Sequence, residues 1–109
     1  MHHNYYHDEL TGLPNRNLLI DRINNSIETA NRTNQSIGVL FLDLDRFKAI
    51  NDSLGHTNGD KLIQEVAKRL LHTLRKEDTS SRNGGDEFVV VIKRMHNSDE
   101  AILIAQKLI

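Results

Sequence analysis

Two pairs of carboxylates hold the clearest chemical signal. Asp43 and Asp45 close the run "IGVLFLDLD", and Asp86 and Glu87 follow two glycines in "RNGGDEF". Each pair borders an apolar stretch of strand character, so the acids meet at one end of a sheet if the two strands are neighbours. Acids gathered that closely repel one another, and hard divalent cations with oxygen ligands commonly hold them together. Mg²⁺ bound in this way borrows substrate phosphates and serves phosphoryl or nucleotidyl transfer. Alternation along a strand leaves Leu44 on the opposite face from Asp43, with only its backbone carbonyl to contribute. Taken by itself, Asp45 reads as the cap of a helix starting near Arg46. That cap would also present the amides of Arg46, Phe47 and Lys48 as a phosphate seat, with Lys48 adding charge. Gly84 and Gly85 are good turn residues in their own right.

These acids need elements to position them. From Asn15 to about Arg32, Leu19, Ile23, Ile27 and Ala30 recur at helical spacing and predict one buried stripe, with Asn15 as the cap after the "LTGLPNR" turn. "IGVLFLDLD" is too short for a typical helix and is expected to be a central strand covered on both faces. A short helical piece, "RFKAINDSL", precedes "GHTNGD", whose Gly55 and Gly59 are expected to bracket a loop. Ile63, Val66, Ala67, Leu70, Leu71 and Leu74 place a second long helix over 60–74. "DTSSRNGGDEFVVVIK" reads as a hairpin. A polar edge strand bends at Asn83, Gly84 and Gly85 into a central strand over 87–93, with Val89 and Val91 on one face and Phe88, Val90 and Ile92 on the other. A last helix, capped by Asn97 or Ser98, is expected to turn Ile102, Ala105 and Ile109 inward. No glycine or proline stop follows it, so the domain is expected to continue past residue 109.

Composition narrows the function classes. A chain of 109 residues fits one domain, and 38% hydrophobic residues with a net charge of -1 lack the basic excess of a DNA or RNA binder. The absence of cysteine excludes disulfides, thiolate metal sites and thiol nucleophiles, and agrees with a cytoplasmic setting. The longest apolar run, "IGVLFL", is far too short to span a bilayer, so no direct membrane contact is expected.

The blocks "HDELTGLPNR", "DLDRFKAINDSLGHTNGD" and "GGDEF", in this order, closely resemble the GGDEF-domain family of bacterial diguanylate cyclases, from about His7 to the end of the chain. The resemblance implies an α/β (α+β) fold similar to nucleotidyl cyclases and polymerase palm domains, a mainly antiparallel central sheet flanked by helices. The expected organisation is one such domain over 1–109, with the end of a linker at 1–9 and the last strands missing. The implied reaction condenses two GTP into cyclic di-GMP and two pyrophosphates, with two Mg²⁺ per active site, or Mn²⁺ in their place. A homodimer would bring one GTP per subunit, under the control of an upstream sensor domain.

Carried onto this sequence, the resemblance implies that Asp43 and Asp86 bind the metals with the Leu44 carbonyl, and that Glu87 supports the metals or the triphosphate. Asp86 or Glu87 would accept the proton of the attacking 3′-hydroxyl. Asn51 and Asp60 would read guanine, His56 would touch the nucleoside, and Phe47 and Lys48 would lie by the phosphates. Gly84 and Gly85 would leave room for phosphates and the second GTP. Arg75 and Asp78 match the family's Arg-x-x-Asp product-inhibition site, for which an ordinary charged helix end is the plain alternative. Asp8 and Arg16 are expected to brace the turn that joins an upstream helix to the domain. Asn83 stands where the family more often has an apolar or aromatic residue. Without its last strands the chain alone is expected to be weakly active or inactive. The alternative to an enzyme is a catalytically inactive module that binds GTP or cyclic di-GMP and regulates a neighbour.

Overall fold

The computed structural model describes residues 5–44, 47–95, 99, 102, 103 and 106. Its elements are α1 (Arg16–Thr33), β1 (Ser36–Asp43), α2 (Phe47–Leu54), α3 (His56–Thr73), β2 (Thr79–Gly84) and β3 (Glu87–Met95). The strands form an antiparallel sheet in the order β1-β3-β2, an α+β arrangement. No helix among the described residues is long and apolar enough to cross a membrane.

β3 organises the molecule. Phe88, Val89, Val90, Val91 and Ile92 are each at most 1% exposed, a continuous run that requires cover on both faces. Phe88, Val90 and Ile92 pack with Ile63, Ala67 and Leu70 of α3 and with Leu13. Val89 and Val91 pack with Leu19 of α1, and Ile23 and Ile37 lie at the margin of that cluster. Each such side chain contributes roughly 1.5–3 kcal/mol by leaving water.

α1 begins as its sequence predicts, with Asn15 Oδ1 accepting from the N–H groups of Asn17 and Leu18 at 3.0 and 3.2 Å. It ends at Asn34, whose left-handed backbone (φ 56°) turns the chain so that the Gln35 N–H donates to the Ala30 carbonyl at 3.0 Å. The inner stripe departs from expectation at one position: Ile27 is exposed and Ser26 is buried. Seven residues after Leu19, Ser26 stays on the same helical face, whereas Ile27 has turned away from it. Its hydroxyl donates to the Arg22 carbonyl at 2.7 Å, so no buried polar atom is left over.

β1 was expected to be covered on both faces, and it is not. It is the outer strand of the described sheet, with Val39 exposed and Phe41 73% exposed. Of that face only Ile37 joins the cluster under α1. The opposite face carries Leu40 and Leu42, half-buried against the α3 core. An apolar run records what a strand can bury, while coverage depends on which helix crosses it.

The expected loop in "GHTNGD" is instead helical. α3 begins at His56, directly after Gly55, whose φ of 88° makes the reversal from α2 at little steric cost. Gly59 is therefore an interior helical residue, and a buried one. Farther along, Leu71 is 62% exposed, one residue off the stripe formed by Ile63, Ala67 and Leu70.

The hairpin turns at Gly85 and Asp86, with Gly84 paired to Glu87. Arg82 pairs with Phe88, so Asn83 is an extra residue on β2, a bulge. β2 is polar and outermost, as expected, yet Thr79, Ser80 and Ser81 are all buried, Thr79 and Ser81 on the face that carries α1 and Ser80 on the opposite face. The Arg82 N–H donates to the Pro14 carbonyl at 3.0 Å, so the N-terminal segment covers part of this edge. Of the expected last helix, Asp99, Ile102, Leu103 and Gln106 are helical, with Ile102 54% exposed rather than inward. Asn97, Ser98, Ala105 and Ile109 lie outside the described residues, as do Asp45 and Arg46.

Candidate functional site

Strand pairing brings the acids of the two motifs together. Asp43 is the direct antiparallel partner of Glu87, and Asp86 is the adjoining turn residue. Partners in this register project from the same face, here the face that carries α1, and both side chains are exposed. Like charges directly opposite one another on a sheet destabilise it, so the fold holds a repulsion that a bound cation would relieve. The expectation of four acids within a few ångströms needs correction. Among the described residues no three acids or histidines converge into a metal-binding group, and Asp45 lies outside those residues. The Leu44 carbonyl accepts from the Phe47 N–H at 3.3 Å, which leaves it a second lone pair. The available donors are all hard oxygens, which suits Mg²⁺, an ion that takes one or two carboxylates and completes its shell with water and phosphate.

Gly84 and Gly85 adopt φ values of 116° and 51°, so the turn itself requires glycine. A β-carbon at either position would meet nothing within 4 Å, which leaves open space beside the acids. The hairpin is anchored by a residue that sequence reasoning missed. Arg82 donates from Nε and Nη2 to the Gly85 carbonyl at 3.0 and 2.9 Å, and from Nη1 to Asp8 at 3.0 and 3.2 Å. Asp8 also accepts from the Thr11 N–H and hydroxyl at 3.0 and 2.7 Å. The partner of Asp8 is thus Arg82, with only 14% of its side chain exposed, rather than Arg16, which is exposed on the first turn of α1. One guanidinium therefore joins the N-terminal turn to the hairpin that carries Asp86 and Glu87.

A second group gathers where α2 meets α3. Asn51 lies on α2, and its Oδ1 is buried without a hydrogen-bond partner among the described residues. Its amide rests on Gly59, one residue before Asp60, and Phe47 borders the same place. Asp60 and His56 are exposed on the first two turns of α3, and Lys48 is exposed on the first turn of α2. The expected guanine-reading residues thus share one corner.

At the far end of α3, Arg75 and Asp78 hold each other. Asp78 Oδ2 accepts from the Arg75 N–H and Nε at 3.1 and 3.3 Å, and Asp78 Oδ1 accepts from the Lys93 N–H at 3.1 Å. Arg75 Nη2 donates to the Lys93 carbonyl at 2.7 Å. The Asp78 side chain is fully buried and Arg75 half-exposed, so a ligand approaching this pair meets the guanidinium first.

The family model described as "Diguanylate cyclase, GGDEF domain" matches residues 5–109. The bifunctional diguanylate cyclase/cyclic di-GMP phosphodiesterase MucR of Pseudomonas aeruginosa is 50% identical over 103 residues, covering 94% of this chain and 15% of MucR. The diguanylate cyclase TpbB of the same organism is 41% identical over 107 residues, covering 98% of this chain and 25% of TpbB. The chain thus spans a quarter or less of the length of these curated relatives. Among solved structures, a TpbB variant comprising only the GGDEF domain superposes with a TM-score of 0.91 at 41% identity, over 94% of this chain and 60% of that one. The GGDEF domain of DgcB from Caulobacter crescentus, in complex with c-di-GMP, superposes with a TM-score of 0.87 at 29% identity, over 98% of this chain and 63% of that one.

Proposed function

From the premise that this chain belongs to the diguanylate cyclase GGDEF-domain family, we propose that it forms the acidic and guanine-reading part of a domain that condenses two GTP into cyclic di-GMP and two pyrophosphates. The observation that carries this reading is the pairing of Asp43 with Glu87 beside Asp86. Asp43, Asp86 and the Leu44 carbonyl would hold Mg²⁺, with Mn²⁺ as a substitute. When bound, the metal neutralises the triphosphate and makes the 3′-hydroxyl a better nucleophile. Asp86 or Glu87 takes the hydroxyl proton. Gly84 and Gly85 leave the phosphates room, and Lys48 adds positive charge near the start of α2.

Base choice follows from donors and acceptors. A carboxylate only accepts hydrogen bonds, so Asp60 favours the N1–H and 2-amino donors of guanine over the N1 acceptor and C2–H that adenine presents at the same positions. Asn51 adds an amide, and His56 lies close enough in the chain to flank the nucleoside. Two copies, each presenting one GTP, complete the reaction. The test is incubation of the natural full-length protein with GTP and Mg²⁺. Cyclic di-GMP is the expected product, and Asp86→Ala should reduce its formation by roughly a hundredfold or more. GTP binding without turnover would instead support a regulatory nucleotide-binding module.

Arg75 and Asp78 are proposed to receive the product. The bound c-di-GMP of the DgcB domain supports product binding by such domains. Because the Asp78 side chain is fully buried and already accepts from Arg75 and Lys93, the half-exposed Arg75 guanidinium supplies the outward contact. Arg75→Ala should raise the cyclic di-GMP concentration for half-inhibition at least tenfold in a titration of initial rates. An unchanged value would leave the pair as a helix-end brace.

A further inference from the structure

We infer that Gly59 is a positioning residue whose missing β-carbon seats the Asn51 amide and so sets the specificity for guanine. The inference rests on the guanine-reading role proposed above for Asn51. Gly59 lies inside α3, its N–H donating to the Gly55 carbonyl at 3.2 Å, and its backbone angle is one that any residue adopts. Helix propensity therefore argues for alanine at this position, by about 1 kcal/mol. Space argues the other way. A β-carbon on Gly59 would overlap Asn51 Oδ1 outright and come within 2.8 Å of Asn51 Cγ and 3.4 Å of Phe47 Cε1.

The buried end of the amide has no hydrogen-bond partner among the described residues, so packing at this seat, rather than a hydrogen bond, holds it. Whichever of its two polar atoms occupies the seat, the other is turned outward, on the same corner as Asp60. The obstructing atom is the end of a flexible side chain, so an added methyl displaces the amide while the packing of α2 on α3 survives. Substitution at Gly59 should therefore separate stability from base discrimination, two properties that a simple packing glycine would lose together.

The experiment compares Asn51→Ala, Gly59→Ala and the double variant in the natural full-length protein. It measures affinity for GTP and ATP with Mg²⁺, kcat and KM for GTP, and thermal melting. Gly59→Ala should keep or slightly raise the melting temperature. It should lower the preference for GTP over ATP by about tenfold, through affinity and KM, the size expected for a lost hydrogen-bonding group. The double variant should lose no more than Asn51→Ala alone, because both changes remove one interaction. Wild-type discrimination in Gly59→Ala beside a loss in Asn51→Ala overturns the seating role. A melting temperature that falls by many degrees in Gly59→Ala overturns it as well. Full discrimination in Asn51→Ala overturns the guanine-reading assignment itself.

Discussion

Asp43 and Glu87 show how a site can oppose its own scaffold. Directly opposed like charges on neighbouring strands cost a few tenths of a kcal/mol or more, and here they sit at the end of the ladder. In metal-free protein Glu87→Gln should therefore raise stability by about 0.5 kcal/mol in urea denaturation, while on the proposed function the same variant should lose cyclic di-GMP synthesis. A loss of stability would show that the two acids do not repel. The Asp8–Arg82 pair behaves in the opposite sense. Asp8→Ala strands a mostly buried guanidinium and should cost roughly 3 kcal/mol by the same measurement. The acids were legible in the sequence because adjacency and a flanking strand pattern mark them. The Asp8–Arg82 bond spans 74 residues of sequence, and nothing local announces it. Asn51 and Asp60 could be named from their motif, but the seat beneath Asn51 depends on a helix contact that no spacing rule supplies.

Among the elements, α1 was the most legible because its cap, periodicity and end are all local. Asn15→Ala removes the cap of the Asn17 and Leu18 amides and should destabilise the molecule by about 1 kcal/mol in thermal unfolding. α3 was placed with its correct apolar face but started too late. Two glycines in "GHTNGD" read as loop residues on propensity, whereas one serves the reversal before the helix and the other relieves a close contact inside it. β1 and β3 look alike as sequences, each an apolar run bounded by acid, at the end of β1 and at the start of β3. Only β3 lies between two strands and under two helices. Coverage is a property of neighbours, so it could not be read from either run alone. The bulge at Asn83 was hidden for a related reason, since an extra residue is defined only against its partner strand.

At the scale of the whole molecule, stability is concentrated along β3, where five consecutive side chains join a core on each face. Ile92→Ala should cost roughly 3 kcal/mol in urea denaturation, against at most about 0.5 kcal/mol for the exposed Phe41→Ala. Comparable losses at the two positions would contradict the placement of the core. The hairpin also divides the molecule's tolerance of changes in chain length. The β1–β3 ladder runs without interruption from Gly38 to Asp43, its irregularity lying at the far end between Ser36 and Gly38, whereas the extra residue beside the acids lies on β2. Inserting or deleting one residue within that part of β1 would turn its acid to the other side of the sheet and dismantle the site, even with every residue type retained. The same edit at Asn83 would leave Asp43 opposite Glu87 and change only how far Arg82 must reach to Gly85. Beside the acids, tolerance of a change in length thus falls to β2, the strand that bears none.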